Sequence, residues 1–249
     1  MGRLEDKIAI VTGAGSGIGL AAARRFADEG AHVIGIDVGT IDRDDLPGLV
    51  AVQGSVAEPA TWDSAVAAAD DAGGLDVVFL NAGLYGFDGP IDELPLDLYE
   101  RTIAANIGGV VLGTRACVPA LRARGGGAIV ATASVAGLVP FAPNPLYTLT
   151  KHAVAGYVAA LAPNLVVDNI TVDAVCPGVV DTPMTVGALH GADPASFGFT
   201  LIAPETIAGV VLDLATTPGT GRAVAVLPGQ EPLTWPFPTW GALTPRTAD

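Results

Sequence analysis

Tyr147 and Lys151 lie four residues apart in an apolar stretch that follows Pro143 and Pro145. On a helix, this spacing places both side chains on one face. A tyrosine phenol titrates near about pH 10 in water, and a neighbouring ammonium favours the phenolate and lowers its pKa. Such a pair can exchange a proton with a carbonyl or alcohol oxygen. Ser134, on the preceding loop, offers a hydroxyl to the same oxygen.

The same spacing also fits an exposed surface pair of no chemical importance. Lys7 and Lys151 are the only two lysines in the chain. Keeping one of two lysines beside a tyrosine favours acid–base chemistry, but the spacing alone leaves both interpretations open.

A glycine-rich turn follows the first apolar run of the sequence. Residues 8–11 read Ile-Ala-Ile-Val, which is typical of a strand buried in a parallel sheet. The turn 12–19 reads Thr-Gly-Ala-Gly-Ser-Gly-Ile-Gly and precedes an alanine-rich helical segment. Strand, turn and helix in this order predict a loop that binds a pyrophosphate at the helix N-terminus. The alternative is a tight turn that only joins strand to helix.

Asp37 ends the next predicted strand, at residues 32–36. A carboxylate in this position accepts hydrogen bonds from the ribose hydroxyls of a dinucleotide and repels a 2′-phosphate. No lysine or arginine lies in the glycine turn or directly after Asp37. The sequence therefore favours NAD over NADP, the alternative being a solvated aspartate at a strand end.

Further strands alternate with helical segments along the chain, which predicts one α/β domain with a parallel sheet over residues 1–249. A long helix is expected at 96–123, where Asn106 and Gly108-Gly109 indicate close packing or a kink. The weakly periodic segment 183–203 is expected to be a mobile cover over the substrate. The aromatic tail, about 228–249, includes Trp235 and Trp240 and is expected to pack on the substrate mouth or on a neighbouring subunit.

Composition limits the classes of partner. The chain has 249 residues, of which 50% are hydrophobic and 15% charged, so one domain with a large core is expected. The net charge of −14 argues against nucleic acid, anionic membrane surfaces and strongly acidic protein partners.

Cys117 and Cys176 lie singly in apolar runs and are expected to be buried and reduced. The three histidines are scattered, so no metal site is predicted. The charged first seven residues do not resemble a signal peptide. A soluble cytoplasmic protein is the resulting expectation.

Several motifs occur together in one order, and as a set they resemble the classical short-chain dehydrogenases/reductases. The resemblance extends to about Leu227. Its motifs are Thr12-Gly13-xxx-Gly17-x-Gly19, Asn81-Ala82-Gly83, Asn106, Ser134, Tyr147-xxx-Lys151 and Pro177-Gly178-x-Val180-x-Thr182. The resemblance implies a Rossmann-type, doubly wound and mostly seven-stranded parallel sheet with helices on both faces. It also implies NAD(P) binding and a catalytic Ser–Tyr–Lys group with a helper Asn.

The resemblance also implies residue roles. Tyr147 acts as general acid or base, Lys151 lowers its pKa and binds the nicotinamide ribose, and Ser134 orients the substrate oxygen. Asn106 holds a water that connects Lys151 to solvent. Besides Tyr147 and Lys151, the expected cofactor-binding residues are Gly13, Ser16, Gly17, Ile18, Gly19, Asp37, Val38, Ser55, Val56, Asn81, Ala82, Gly83, Pro177, Gly178, Val180 and Thr182.

The chain departs from the family pattern in three places. Ser55 stands where the family often has an aspartate that contacts the adenine, and Leu80 replaces the first of two asparagines. Pro228-Gly229-Gln230 replaces a C-terminal Asp-Gly-Gly, so the tail has no role that the family assigns.

The residues expected around the substrate are mostly apolar. They are Leu84, Tyr85, Val139, Phe141 and Met184, together with Ser134 and Tyr147. The predicted function is an NAD-dependent interconversion of a hydrophobic secondary alcohol and its ketone. The alternatives are a 3-oxoacyl thioester reductase and a non-catalytic NAD-binding regulator. The family also implies a homo-oligomer, a tetramer or dimer, formed through residues 96–123 and 147–162.

Overall fold

A single eight-stranded sheet organises the protein. The computed structural model describes residues 2–42, 46 and 48–237. The strands are β1 (Ile8–Thr12), β2 (His32–Asp37), β3 (Val50–Gln53), β4 (Val77–Leu80), β5 (Gly127–Thr132), β6 (Ile170–Pro177), β7 (Ala223–Val226) and β8 (Leu233–Trp235). Their spatial order is β3-β2-β1-β4-β5-β6-β7-β8. The chain leaves β1 towards β2 and β3 on one side and returns to β4 on the other, which is the doubly wound arrangement.

The sheet has one strand more than the seven expected. Strands β1 to β7 are parallel, and β8 pairs with β7 in the antiparallel direction. The chain reverses after β7 in a turn where Gln230 N–H donates to the Leu227 carbonyl and Gly229 has φ 65°. This turn occupies the place where the sequence departs from the family pattern.

Helices cover both faces of the sheet. They are α1 (Gly17–Asp28), α2 (Pro59–Asp71), α3 (Leu96–Ile103), α4 (Gly109–Arg124), α5 (Pro145–Leu165), α6 (Pro183–Ala188) and α7 (Pro204–Thr216). Helices α1 and α7 pack on one face, around Phe26 and Val211. Helices α2, α4 and α5 pack on the other, around Trp62 and Leu121. The two buried layers explain why the central strands are continuous apolar runs.

The helix expected at 96–123 is interrupted by a π-helical turn, Ala104–Gly108. Its glycines allow close packing as well: a Cβ on Gly109 would lie 2.6 Å from Val56 Cγ2, and one on Gly113 would overlap the Trp62 ring. The kink and the close packing are therefore both present. Such π turns insert one residue into a helix and often mark functional sites.

The combined helix Leu96–Arg124 has 29 residues and contains an 18-residue window with a mean hydropathy of 1.3, so by length and composition alone it would be able to cross a membrane. Helices that pack on the sheet of a globular domain pass the same test. In this protein the helix packs on α2, β4 and β5.

Short helices occupy the segment expected to be a mobile cover. Helix α6 opens it, and a 3₁₀ turn, Pro194–Phe197, follows. In the tail, Trp235 lies in β8 and packs against the core, whereas Phe237 is 36% exposed. The remaining tail residues, 238–249, lie outside the described part of the chain.

Asp76 forms an ionic junction at the end of the sheet away from the glycine turn. Its carboxylate accepts hydrogen bonds from Lys7 Nζ at 3.0 Å, Arg124 Nε at 3.2 Å and the Ile8 backbone N–H at 3.1 Å. Burial alone would raise its pKa, but these donors outweigh that effect and hold the Asp76 pKa below its usual value. The junction connects the start of β1 to the end of α4.

We predict that Asp76→Ala lowers the free energy of unfolding by about 2 kcal/mol, because it removes the shared partner of two cations and one backbone donor. A lowered folded-state pKa gives stability that is present above the unfolded pKa and is lost as pH falls through the folded one. The difference in the free energy of unfolding between wild type and variant should therefore become smaller as the pH falls. Urea unfolding at several pH values measures this difference.

The matched control is Asp97→Ala, since Asp97 pairs with Arg101 on the exposed surface. It should cost less than about 0.5 kcal/mol. Equal losses in the two variants would contradict the role assigned to Asp76.

Candidate active site

The glycine turn leaves the backbone open at the N-terminus of α1. Gly13 and Gly17 have φ angles of 68° and 53°, a region that favours glycine. A Cβ on Gly19 would overlap the Gly13 carbonyl oxygen, so the turn folds tightly onto the helix. Ser16 precedes α1 in extended conformation, and its side chain does not cap the helix. Exposed N–H groups at a helix N-terminus form a suitable site for a pyrophosphate.

Asp37, at the end of β2, faces the same turn. Its Oδ2 accepts a hydrogen bond from Gly15 N–H at 2.9 Å, and its Oδ1 accepts one from Gly39 N–H at 2.8 Å. A Cβ on Gly15 would lie 2.9 Å from Asp37 Oδ2, so only glycine fits this approach. The carboxylate is thus fixed at the carboxyl edge of the sheet, beside the phosphate turn.

The other residues expected at the adenosine end of the cofactor differ in their exposure to solvent. Val38 is 70% exposed, while the Val56 side chain is buried and packs against Gly109. Any contact of Val56 with a cofactor is therefore through its backbone. The Ser55 hydroxyl oxygen accepts a hydrogen bond from Ala57 N–H at 3.2 Å, and the hydroxyl hydrogen remains available as a donor.

Asn81 joins the carboxyl ends of three neighbouring strands. Its side-chain amide donates to the Thr12 carbonyl at 3.1 Å and accepts from the Thr132 hydroxyl at 3.0 Å. The Thr12 hydroxyl oxygen accepts from the backbone N–H groups of Asn81 and Ala82. This network fixes the crevice between β1 and β4, where the strand order reverses and where doubly wound sheets bind ligands.

Ser134, Tyr147 and Lys151 converge at the carboxyl end of β5. The Ser134 hydroxyl lies on the loop after β5, where it accepts from Ala136 N–H and donates to the Pro177 carbonyl at 3.3 Å. Lys151 is 4% exposed, and its Nζ lies 5.4 Å from the centroid of the Tyr147 ring. The same Nζ donates to the Thr132 carbonyl at 2.8 Å. The amine therefore points into the protein, and the alternative of an exposed surface pair does not describe this geometry.

The pKa values correct one expectation. Burial raises the pKa of the Tyr147 phenol to about 12, although the Ser134 hydroxyl acts in the opposite direction. Burial also lowers the pKa of the Lys151 ammonium to about 8. The expected lowering of the tyrosine pKa by Lys151 is therefore wrong for the protein alone, because desolvation of the phenol exceeds the effect of a cation that is itself weakened by burial.

Asn106, in the π turn, is buried and its amide is fully engaged. The amide NH₂ donates to the Leu84 carbonyl at 2.8 Å and to the Thr150 hydroxyl at 3.1 Å, and the amide oxygen accepts from Leu84 N–H at 2.7 Å. Both amide hydrogens are used within the protein, so the expected water would have to donate to an oxygen of Asn106. The side chain holds the loop after β4 against α5.

The loop after β6 approaches the glycine turn. Val180 forms a bridge with Ile202 and is buried. Thr182 caps α6, and a Cβ on Gly17 would lie 3.0 Å from its Cγ2. Gly178 N–H donates to the Val226 carbonyl at 2.9 Å. The structure thus brings the glycine turn, the Asn81-Ala82-Gly83 motif and the loop after β6 to one edge of the sheet.

Three of the apolar residues expected around the substrate are partly exposed: Leu84, Val139 and Met184 are 39%, 42% and 40% exposed. The Tyr85 and Tyr147 rings lie 5.5 Å apart, tilted by 39°. His190 Nε2 lies 3.7 Å from Asp88 Oδ2, between the segment after α6 and the loop after β4.

A cavity of about 450 Å³ lies on the outer side of the loop after β4. It is lined mainly by Phe87, Ile91, Leu94, Ala142, Pro143 and Leu146. Ser134 and Tyr147 are not among its lining residues, so it is separate from the place where their oxygens meet.

Sequence reasoning missed three polar residues that support the site. They are Thr132, Asn144 and Thr150. Thr12 was recognised as the start of a motif, but without its hydrogen bonds to Asn81 and Ala82. Only Asn144 had a signal: an Asn followed by Pro at the start of an apolar helical run is typical of a helix N-cap. Its side-chain oxygen accepts from Tyr147 N–H at 2.8 Å.

No group of three or more His, Cys, Asp or Glu side chains that is suited to hold a metal ion occurs among the residues that the structure describes. Cys117 and Cys176 are buried and free, and burial raises the pKa of each thiol to about 12.

Comparisons with known proteins agree with this architecture. The family model described as short chain dehydrogenase matches residues 7–192. The 2-(R)-hydroxypropyl-CoM dehydrogenase of Xanthobacter autotrophicus is 35% identical over 192 residues, covering 72% of this chain and 77% of the relative. Cyclohexanol dehydrogenase of an Acinetobacter species is 35% identical over 191 residues, covering 73% and 76%.

Solved structures agree as well. The 3-ketoacyl-(acyl-carrier-protein) reductase from Brucella melitensis, complexed with NADH, superposes with a TM-score of 0.83 at 30% identity, covering 91% of this chain and 98% of that one. The resemblance inferred from the ordered motifs is thereby confirmed. This chain belongs to the short-chain dehydrogenase/reductase family, whose Rossmann fold binds a nicotinamide cofactor.

Proposed function

We propose that the protein is an NAD-dependent oxidoreductase that interconverts a hydrophobic secondary alcohol and its ketone, with Tyr147 as the general acid and base. The observation that carries this proposal is the convergence of the Ser134 hydroxyl, the Tyr147 phenol and the buried Lys151 amine at the carboxyl end of β5. The three groups lie beside the crevice that Asn81 and the glycine turn form.

Each group has one task in the reaction. A nicotinamide cofactor, which the glycine turn and Asp37 would hold, would supply hydride transfer from the alcohol carbon or to the ketone carbon. Tyr147 takes the hydroxyl proton during oxidation and gives it back during reduction, so the proton and the hydride together account for the change. Ser134 donates a hydrogen bond to the same oxygen. Lys151 supplies positive charge near the phenol, which favours the phenolate that oxidation requires.

Asp37 supports NAD rather than NADP. Its two oxygens are held by backbone N–H groups and present a fixed negative charge next to the phosphate turn. Ribose hydroxyls can donate to such a carboxylate, whereas a 2′-phosphate is repelled.

The Tyr85 ring beside Tyr147 and the partly exposed apolar residues expected at the substrate site support an uncharged, hydrophobic substrate. The exposed faces of Leu84, Val139 and Met184 gain from contact with apolar ligand surface. The relatives include an enzyme named for cyclohexanol, so a cyclic secondary alcohol is a suitable first substrate class to test.

A 3-oxoacyl thioester reductase is the second candidate, since one similar structure carries that activity in its name. The net charge of −14 disfavours it when the acyl group is delivered by an acidic carrier protein. A regulator that binds NAD without turnover is the third alternative. The assembled Ser134, Tyr147 and Lys151 groups weigh against it.

We also propose that the protein is a cytoplasmic homo-oligomer that binds neither nucleic acid nor membranes. The acidic composition supports the absence of both polyanionic partners. Exposed apolar residues on α4 and α5, such as Val111 and Leu149, support contact with a second copy of the chain.

We predict that Tyr147→Phe lowers kcat by about 1,000-fold, because the phenol is the proton carrier and general acid–base catalysis contributes about 10²–10⁴-fold. NAD affinity should stay within about threefold, as the ring is retained. NAD-linked oxidation of cyclohexanol and reduction of cyclohexanone measure the rate.

The control is Tyr157→Phe, which removes the same hydroxyl from the same helix at a position packed on the core. Its kcat should stay within about twofold of wild type. A Tyr147→Phe enzyme with more than a tenth of wild-type activity would remove the catalytic assignment. Tight NAD binding by wild type, without turnover of any alcohol or ketone, would favour the regulator.

We predict that Asp37→Asn lowers the preference for NAD over NADP, measured as the ratio of kcat/KM values, by about tenfold or more. The neutral amide keeps the size of the side chain but removes the charge that repels a 2′-phosphate. It also weakens the hydrogen bonds from the ribose hydroxyls, since a hydrogen bond to a charged group contributes about 1.5–3 kcal/mol and one between neutral groups about 0.5–1.5 kcal/mol. Asp28→Ala removes one charge from the far end of α1 and should leave the ratio unchanged. An unaltered ratio in Asp37→Asn would show that Asp37 does not select the cofactor.

A further inference from the structure

Asn144 is a completely buried polar side chain next to the reacting groups. Its exposure is 0%, and it lies directly before α5, between that helix and the loop after β4. A buried amide is costly unless both of its ends are hydrogen-bonded. The partners of Asn144 therefore indicate what the residue is for.

The two ends of the amide serve different parts of the site. The Oδ1 atom accepts from Tyr147 N–H at 2.8 Å and so caps the helix that carries the phenol. The Nδ2 atom donates to the Tyr85 carbonyl at 2.8 Å, across to the loop after β4. One planar group thus fixes the distance between the backbone of Tyr147 and the backbone of Tyr85.

The fixed distance between the two backbones also places the Tyr85 and Tyr147 rings next to each other. The Tyr85 ring lies 5.5 Å from the Tyr147 ring and covers one side of the phenol. The preceding residue of the loop, Leu84, is held through its own N–H and carbonyl by Asn106. Two buried asparagines therefore hold two consecutive residues of this loop, one from α5 and one from the π turn.

Capping the helix does not need an asparagine. Serine and aspartate cap helix N-termini about as well, because only an acceptor oxygen is required. The donor half of Asn144 adds nothing to the cap, and its partner is the substrate-facing loop.

We propose that Asn144 is a positioning residue, which holds the Tyr85 wall against the Tyr147 phenol and thereby fixes where the alcohol carbon lies relative to the proton carrier. This inference rests on the proposed alcohol–ketone oxidoreduction. It assigns Asn144 an effect on kcat that acts through Tyr85 and Tyr147 and leaves cofactor binding unchanged.

Asn144→Asp tests the donor half within a single variant. A protonated carboxyl has one acceptor oxygen and one O–H donor, so it reproduces both bonds. The ionised form keeps the cap but sets a carboxylate against the Tyr85 carbonyl. Burial raises the pKa of the introduced carboxyl. The ratio of variant to wild-type kcat with NAD and cyclohexanol should therefore be near one at acidic pH and fall at least about tenfold as pH rises.

Asn164→Asp is the matched control. Asn164 lies on the same helix, and its amide donates to the Ala160 carbonyl at 2.9 Å on the exposed surface. Its activity ratio should not change with pH. NAD affinity of Asn144→Asp should stay within about twofold at every pH. A pH-independent ratio for Asn144→Asp, or a loss accounted for by weaker NAD binding, overturns the proposal.

Asn144→Ser covers the case in which the aspartate variant does not fold. Serine keeps an acceptor for the cap and removes the donor to Tyr85. We expect kcat to fall by about tenfold or more with unchanged NAD affinity. A wild-type kcat in this variant overturns the proposal.

Chymotrypsin cleavage provides a readout that needs no substrate. Without the Asn144 donor, the loop that carries Tyr85 and Phe87 should open more often and be cut faster in Asn144→Ser than in wild type. Equal cleavage rates contradict the positioning role. If wild type turns over no alcohol while the cleavage rates differ, the proposed reaction fails and the connection between loop and helix stands.

Discussion

The buried amine of Lys151 is the constraint around which the reaction centre is built. Taking an ammonium out of water is costly, and among the described residues the amine has one hydrogen bond, to the Thr132 carbonyl. Burial accordingly lowers its pKa to about 8. The amine is therefore close to its titration point under physiological conditions, and its charge responds to whatever else enters the crevice.

The same burial shifts the pKa of the Tyr147 phenol upwards, to about 12. Both groups resist charge when the site contains protein alone. A positively charged ligand in the crevice would favour the phenolate, and a ligand that donates to it would do the same. In the reaction proposed for this protein, proton transfer by Tyr147 would therefore depend on an occupied site.

Most of the architecture could be predicted from the sequence, but the polar contacts that connect its elements could not. Alternating apolar runs and helical segments predict the parallel sheet, because each buried strand needs an unbroken apolar run. The glycine turn and Asp37 were found by residue type and order. Thr132 and Thr150 were not, because a threonine at a strand end or in a helix has no distinguishing pattern, and only the fold shows which group it meets.

The direction of the tyrosine pKa was also beyond the sequence. Spacing reveals that Lys151 is near Tyr147, but the balance between charge and burial depends on depth, which spacing does not encode. Asn106 shows the same limit. An asparagine within an apolar helix has no partner that can be named before the π turn and the loop after β4 are placed.

The short antiparallel strand β8 has a consequence for the sheet as a whole. A parallel sheet that stopped at β7 would present a row of unpaired N–H and C=O groups to solvent, which is a template for stray strands. The three-residue strand Leu233–Trp235 occupies that row, and Pro232 and Pro236 flank it, so its own outer edge has little length to offer. Proline cannot donate to a growing ladder. Within the described residues, β8 is thus the edge strand on this side of the sheet, and its short length helps to protect the protein against edge-to-edge aggregation.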